Sequence, residues 1–406
     1  MRTAAVATRR AKVLRENALG EDARALDQAW SESTTFALIP DRSPVDEAWV
    51  AAALDRLPEH FRRDHFALLT SGTTGRARLV VGCRRRAETL VDLLHQAQQS
   101  EPVRESVVVL PLSYCYAFVN QWLWARRRGR RLILGRHFGA PAALRAALDQ
   151  ADAAMICLVS AQVSLLEEHF GDARFDGVLR VHFAGARFPA ERIDRIRSFF
   201  PEAEIYNNYG CTEAMPRLAL RRVEQGFAAD DIGLPLPGVE LRSFEEQPIA
   251  PLFFRSAYGA VALVDDDEVH VIQDDEWIDT GDIARRNADG SWSIHGRSNE
   301  VFKRYGEKVS MSRVLATMQE AVAGRLAGYG EVDARQEAGF VAVSCPAPSE
   351  EELRAMLAKL RASHPRSHWP LRIEAADSMP KLPSGKIDLY SLSRRTRKVV
   401  IWRQRI

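Results

Sequence analysis

Four hydroxyl side chains and two glycines stand together at Thr70-Ser71-Gly72-Thr73-Thr74-Gly75, directly after the apolar run His65-Phe66-Ala67-Leu68-Leu69. Glycines permit the backbone angles at which successive N–H groups point inward and form a concavity for an anion. Hydroxyl groups add hydrogen bonds to phosphate oxygens. The spacing is not that of a Walker A loop, because no Gly-Lys-Ser/Thr follows. Alone, the stretch reads equally well as a Ser/Thr-rich surface turn.

Further chemistry-bearing segments follow in order. They are Tyr209-Gly210-Cys211-Thr212-Glu213, then Trp277-Ile278-Asp279-Thr280-Gly281-Asp282, then Gly296-Arg297 leading into Lys303-Arg304-Tyr305-Gly306-Glu307-Lys308. Near the end stands Pro380-Lys381-Leu382-Pro383-Ser384-Gly385-Lys386-Ile387. With the hydroxyl loop, this ordered set resembles the adenylate-forming superfamily of acyl- and aryl-CoA ligases, peptide-synthetase adenylation domains and beetle luciferases. The resemblance covers roughly residues 65 to 390, and five motifs in order are far more specific than any one of them.

The resemblance implies a reaction: a carboxylic acid and ATP give an acyl-adenylate and pyrophosphate, and a thiol then takes the acyl group. It assigns the phosphate cradle to Thr70, Ser71, Gly72, Thr73, Thr74 and Gly75. Arg78 stands where the family usually has lysine, offering a planar fork in place of a point charge. By the same resemblance Glu213 is associated with Mg²⁺, Thr212 with the α-phosphate, and Tyr209 and Gly210 with the adenine ring. Gly185-Ala186-Arg187 lines the other adenine face, and Asp282 and Arg297 meet the ribose. Lys386 bridges the reacting carboxylate and the α-phosphate. Asn299 occupies the hinge position, where the family most often has aspartate, and Lys303 and Gly306 belong to the thiol-transfer posture. Tyr114, Phe118, Phe183 and Asn208, with Ala184 and Asn207 beside them, are expected to line an acid pocket suited to an aromatic or medium-length acyl chain. Coenzyme A is the default acceptor, with the phosphopantetheine arm of a carrier protein as the alternative. A non-catalytic nucleotide-binding homologue and a luciferase-like oxidation of the adenylate stay open as well.

The elements that must position these residues can be read from pattern. Between Phe66 and about Phe254, short apolar runs such as Ser106–Leu110, Ala154–Leu158 and Arg180–Phe183 alternate with helical periods at 141–151 and 190–199. Such alternation predicts βαβ units and a largely parallel sheet. Residues 255–298 predict a small antiparallel sheet or distorted barrel. Residues 1 to about 64 predict helical packing. After Arg297 a strand near Phe340–Val343, flanked by helices from Val309 and from Ser349, predicts a small α+β unit. The expected organisation is therefore α/β: a large domain over 1–298 with mostly parallel sheets and a small β sub-domain, then a mobile lid over 299–406 carrying Lys386.

Composition narrows the class. A chain of 406 residues exceeds one compact core. Hydrophobic content of 46% and charged content of 27% are ordinary for a globular protein, and a net charge of +2 gives no general argument for nucleic acid or membrane binding. No apolar run reaches the length of a membrane span. The five cysteines are scattered and odd in number, arguing against a disulfide framework or zinc site and for a cytoplasmic setting. Only 69 residues precede the hydroxyl loop, fewer than the family usually has, which leads to the expectation of a homodimer partner completing the packing. The basic tail from Arg394 to Ile406 suits either the phosphate of coenzyme A or an acidic carrier helix.

Overall fold

The computed structural model describes residues 12–20, 22–41, 45–71, 77–134, 137–224, 226–266, 268–304, 307–333, 337–381 and 387–404. At Ser71, Asn299, Val301, Lys303, Glu307 and Lys308 only the backbone is described. The chain forms two compact units. The first takes the chain up to Arg242 with Phe253–Thr280 and Asn287–Trp292; the second takes Ser243–Leu252, Gly281–Arg286 and the chain from Ser293 onward.

The first unit holds a six-stranded mixed sheet. Strands β1 (Lys12–Arg15), β2 (Phe36–Ile39) and β3 (His65–Ser71) run parallel, and β4 (Ala77–Cys83), β14 (Ala262–Val264) and β15 (Val269–Val271) continue it antiparallel. The N-terminal part was expected to be helical, and the structure corrects this. It supplies two strands as well as helices at Arg24–Ser31 and Glu47–Asp55. Phe36-Ala37-Leu38-Ile39 is an apolar run with all four residues buried, and so short a run carries no period that separates strand from helix.

A second set of strands is parallel in the spatial order β6-β5-β7-β8-β9, comprising β5 (Glu105–Val107), β6 (Arg131–Ile133), β7 (Ala154–Leu158), β8 (Val178–Phe183) and β9 (Glu204–Tyr209). Strands β10 (Ala219–Arg222) and β11 (Asp231–Pro235) extend it antiparallel beyond β9. Parallel strands are buried on both faces and so read as continuous apolar runs, as Ala154-Met-Ile-Cys-Leu158 does. The helix Arg84–Ala97 buries Ala87, Leu90, Val91 and Leu94, a spacing that places them on one face. Around Trp30 an aromatic cluster gathers Phe36, Phe66, Phe118 and Trp122 with ring centroids 5.3–6.4 Å from its own. Burying each such side chain stabilises the fold by roughly 1.5–3 kcal/mol. Strands β12 (Val239–Arg242) and β13 (Ala250–Ser256) form an antiparallel pair through Val239–Arg242 and Phe253–Ser256, and β16 (Ile278–Arg286) and β17 (Trp292–Arg297) follow.

In the second unit β18 (Val301–Arg304) pairs antiparallel with β19 (Glu307–Ser310). A four-stranded sheet follows in the order β20 (Arg325–Val332), β21 (Ala338–Cys345), β22 (Arg372–Ala376) and β23 (Lys398–Arg403). Helices Met311–Gln319 and Glu350–Ser363 cover it, burying Met311, Val314, Met318, Met356 and Leu360 against Phe340, Ala342 and Ile373. The second helix starts at a capping box in which Ser349 and Glu352 satisfy each other's backbone N–H groups. Among the described residues no helix is long and apolar enough to cross a membrane.

Candidate active site

Strands β7, β8 and β9 run in parallel, so their carboxyl ends point the same way, where open α/β sheets bind ligands. The segment after β8 delivers Gly185-Ala186-Arg187, all exposed, with the Arg187 carbonyl accepting from the Ser160 hydroxyl. Strand β9 ends at Tyr209 and passes through Gly210 into a single 3₁₀ turn, Thr212–Ala214. Gly210 is required by close approach: a Cβ there would lie 1.9 Å from the Pro216 carbonyl oxygen. Leu218 N–H donates to the Tyr209 carbonyl at 2.9 Å, folding the chain back as β10. The turn is thus fixed by backbone contacts before any ligand arrives.

Thr212 and Glu213 are half-buried on this turn. The Glu213 carbonyl accepts from Ala260 N–H at 2.8 Å, while its carboxylate pairs with no basic side chain among the described residues. No cluster of three or more His, Cys, Asp or Glu forms a metal cage among those residues. A single accessible carboxylate fits Mg²⁺ held mainly through substrate phosphates and water.

The hydroxyl loop joins β3 to β4. Thr70 stands opposite Arg78 in the ladder, and Arg78 lies 3.8 Å from Asp265. Gly72, Thr73, Thr74 and Gly75 lie outside the described residues. The Thr70 and Arg78 ends of these strands lie at the far end of β4 from the Glu213 turn, because Met215 packs at Gly82 and Val261, next to Ala260, bonds Val81.

The expected acid-pocket residues have different settings. Tyr114 is half-buried at the start of the helical segment, and burial pushes its phenol up to about 12. Phe118 stacks on Phe66 at 4.9 Å and belongs to the aromatic core, enclosed on all sides. Phe183 is buried edge-on to Phe188 at 5.3 Å. Asn208 donates to the Phe183 carbonyl at 3.0 Å, and Asn207 donates to the Asp231 carbonyl at 3.0 Å. The Pro111–Ser113 segment is pinned by Glu16, whose carboxylate accepts from Leu112 and Ser113 N–H groups at 2.6 Å each.

Within the second unit Asp282 and Arg297 are brought together, Oδ1 to Nε at 3.0 Å. Gly281 before them has φ +72°, a left-handed conformation that favours glycine. Lys303 faces Lys308 in the β18–β19 ladder, and Asn299 lies in a 3₁₀ turn at Ser298–Glu300. Gly306 and Lys386 lie outside the described residues. The base of the Lys386 segment is described: Lys381 bridges Ile387, and Asp388 N–H donates to the Pro380 carbonyl at 2.8 Å.

Sequence reasoning missed Arg217. It is 1% exposed and sits among buried polar groups just behind the Glu213 turn. The signal was a single charge inside the otherwise apolar run Ala214-Met-Pro-Arg-Leu-Ala-Leu220. A cleft of about 750 Å³ is lined by Arg85, Arg86, Tyr258, Gly259 and Glu276 and by none of the expected nucleotide residues.

A mixed α/β chain with parallel strands ending in a Thr-Glu turn, and with a separate α+β unit, defines the adenylate-forming class of fold. The chain belongs to the AMP-binding enzyme family, matched over residues 5–249, and so to the adenylate-forming superfamily. It is 24% identical over 359 residues to phosphinothricin tripeptide synthetase PhsB of Streptomyces viridochromogenes, covering 80% of this chain and 29% of that one. It is 23% identical over 359 residues to 4-coumarate–CoA ligase-like 6 of Oryza sativa subsp. japonica, covering 79% and 59%. The chain thus spans less than two thirds of the length of these curated relatives. Among solved structures, the o-succinylbenzoate CoA synthetase MenE of Bacillus subtilis with its acyl-adenylate superposes with a TM-score of 0.72 at 17% identity, over 96% of this chain and 88% of that one.

Proposed function

We propose that this protein activates a carboxylic acid with ATP and passes the acyl group to a thiol. A carboxylate oxygen attacks the α-phosphorus, the bond to pyrophosphate breaks, and the acyl-adenylate forms. A thiolate then attacks the acyl carbon and AMP leaves. The observation that carries this reading is the Thr212–Glu213 turn at the carboxyl end of β9, held by the backbone with its carboxylate left unpaired among the described residues. Mg²⁺, when bound, offsets phosphate charge, and Glu213 is the residue that would hold it.

In this reading Thr212 donates to the α-phosphate, Tyr209 stacks on adenine opposite Gly185–Arg187, and Asp282 and Arg297 hold the ribose. Lys386 stabilises charge building between the carboxylate and the α-phosphate. Residues 299–406 then act as the mobile lid with Asn299 at its hinge, and Lys303 and Gly306 serve thiol transfer. Coenzyme A is the proposed acceptor. The likeness to peptide synthetases supports a carrier protein as the second reading.

The test is ATP–pyrophosphate exchange across aryl, short, medium and long acyl acids and amino acids. Exchange with one class of acid, lost in Lys386→Ala and Glu213→Gln, is the expected result. Nucleotide binding without exchange for any acid would sink the catalytic reading.

A further inference from the structure

One face of the β7–β9 sheet is polar where the rest of the core is apolar. Cys157 on β7, His182 on β8 and Tyr206 on β9 stand side by side in register, and Asn208 follows two residues along β9. Opposite them lies the helical segment Cys115–Arg128, whose middle turns, Phe118–Leu123, are a π-helix. Such π-segments are rare and concentrate at functional sites.

Arg217 lies within this layer. Its guanidinium donates to the Asn208 Oδ1 and, at 2.7 Å, to the Asn120 Oδ1. Both amides are oriented for this by their own Nδ2 groups, Asn208 donating to the Phe183 carbonyl and Asn120 to the Tyr116 carbonyl at 2.8 Å. No carboxylate pairs with Arg217 among the described residues. The charged and titratable groups around it are Tyr116, Cys157 and Cys115, with His182 and Arg180 beyond. The Tyr116 ring lies 5.8 Å beneath it. Among the described residues both His182 ring nitrogens are buried without a hydrogen bond, while the Tyr116 hydroxyl has only the Cys157 thiol and the Asn208 amide beside it. Burial lowers Arg217 to about 10 and holds His182 neutral, near 3.

A buried charge is costly unless an opposite charge meets it, and here only neutral amides do. Buried polar atoms without partners equally call for a water or a ligand. The cation, the hydroxyl and the neutral imidazole together make a donor-rich cradle for an anion. Its backbone is stitched to the active turn, since a Cβ on Gly210 would lie 3.0 Å from the Arg217 Cα.

We propose that Arg217, with Tyr116 and His182, recognises a second oxyanion on the acid that this site activates, so that the substrate is a dicarboxylic acid. This rests on the acid-activating reading above. The apolar and aromatic residues nearby then pack against the carbon skeleton, while Arg217 fixes the distal carboxylate.

The test compares matched pairs, butanoate with succinate, hexanoate with adipate and benzoate with phthalate, in ATP–pyrophosphate exchange. In the unaltered protein one diacid should exceed its monoacid partner in kcat/KM by on the order of 100-fold or more, because a site built around polar groups rejects the analogue that leaves them unpaired. That ratio should collapse in Arg217→Met, recover in part in Arg217→Lys, and fall less in Tyr116→Phe. A monoacid preference in the unaltered protein, or an unchanged ratio in Arg217→Met, would overturn the proposal. Thermal shifts by the same acids without ATP separate it from the functional reading. If no acid supports exchange, acid activation falls, yet a diacid shift present in the unaltered protein and absent in Arg217→Met still supports an anion cradle for a diacid. No diacid shift would overturn it. An equal shift with acetate or inorganic phosphate would also overturn it, marking a free-anion site.

Discussion

Two arginines, one in each unit, are buried to the same degree and satisfied in opposite ways. Arg304 in the second unit is 1% exposed and meets Asp333 at 3.4 Å, the Trp369 carbonyl at 3.2 Å and the Gln404 Oε1 at 3.4 Å. Arg217 in the first unit, equally buried, donates only to amide oxygens among the described residues. An arginine neutralised by a buried carboxylate ties strands and loops together. An arginine left uncompensated keeps its charge for something else. The difference separates a structural ion pair from a recognition group, although both look alike as single letters in the chain.

The largest expected effect follows from breaking the compensated pair. Arg304→Met leaves the buried Asp333 carboxylate without this cation, its bond from the Glu337 N–H at 3.1 Å remaining, and such loss costs about 3–5 kcal/mol. Hydrogen exchange of the β20–β23 amides should accelerate accordingly. Arg217→Met should cost less, about 1–3 kcal/mol, because two amide oxygens lose donors while a buried charge is removed. Hydrogen exchange of β7–β9 reads that loss. If Arg217→Met proved the more damaging, the charge would be structural in both units and the comparison would fail.

Much of the fold was legible in the sequence because long, strongly patterned elements decide it. Ala154–Leu158 announced a buried parallel strand, and the helix expected from Ser349 is found at Glu350–Ser363. The Tyr209–Glu213 segment was legible through its ordered companions, and the structure sets it on a strand end. Other features were not legible for physical reasons. Strands of four residues, such as Phe36–Ile39, are too short to show a period. Phe118 is apolar in either role, so residue type could not separate a pocket wall from the aromatic core that encloses it. Arg217 is one arginine among many, and what distinguishes it, the absence of a carboxylate neighbour among the described residues, exists only in three dimensions.

A smaller effect calibrates the second unit. Ser349→Ala removes the hydroxyl that accepts from Glu352 N–H at 3.2 Å, and loss of such a cap costs about 1 kcal/mol. Hydrogen exchange should report faster opening of the first turn of Glu350–Ser363. Damage well beyond that figure would mean that the helix start supports more than its own cap, and the Arg304 result would need rescaling.

The smallest expected effect concerns a third way of holding a charge, here a half-buried one. Glu16 has no cation beside it among the described residues; its carboxylate is met by the Leu112 and Ser113 N–H groups. Burial, the dominant influence, raises its proton affinity despite those two bonds, which act in the opposite direction. Because the folded protein then binds the proton more tightly than the unfolded chain, this group favours folding below the ordinary carboxylate range. That contribution is lost as pH rises through its elevated folded value. Glu16→Gln removes the titration and keeps one oxygen for the backbone donors. Its stability should lie within about 1 kcal/mol of the unaltered protein, and its profile should be flatter just above the ordinary carboxylate range. A profile in which the unaltered protein instead gains stability as pH rises up to the ordinary carboxylate value, relative to Glu16→Gln, would mean that backbone dipoles compensate this charge as fully as Asp333 compensates Arg304. The division between compensated and uncompensated buried charge would then have to be drawn by local dipoles as well as by ion pairs.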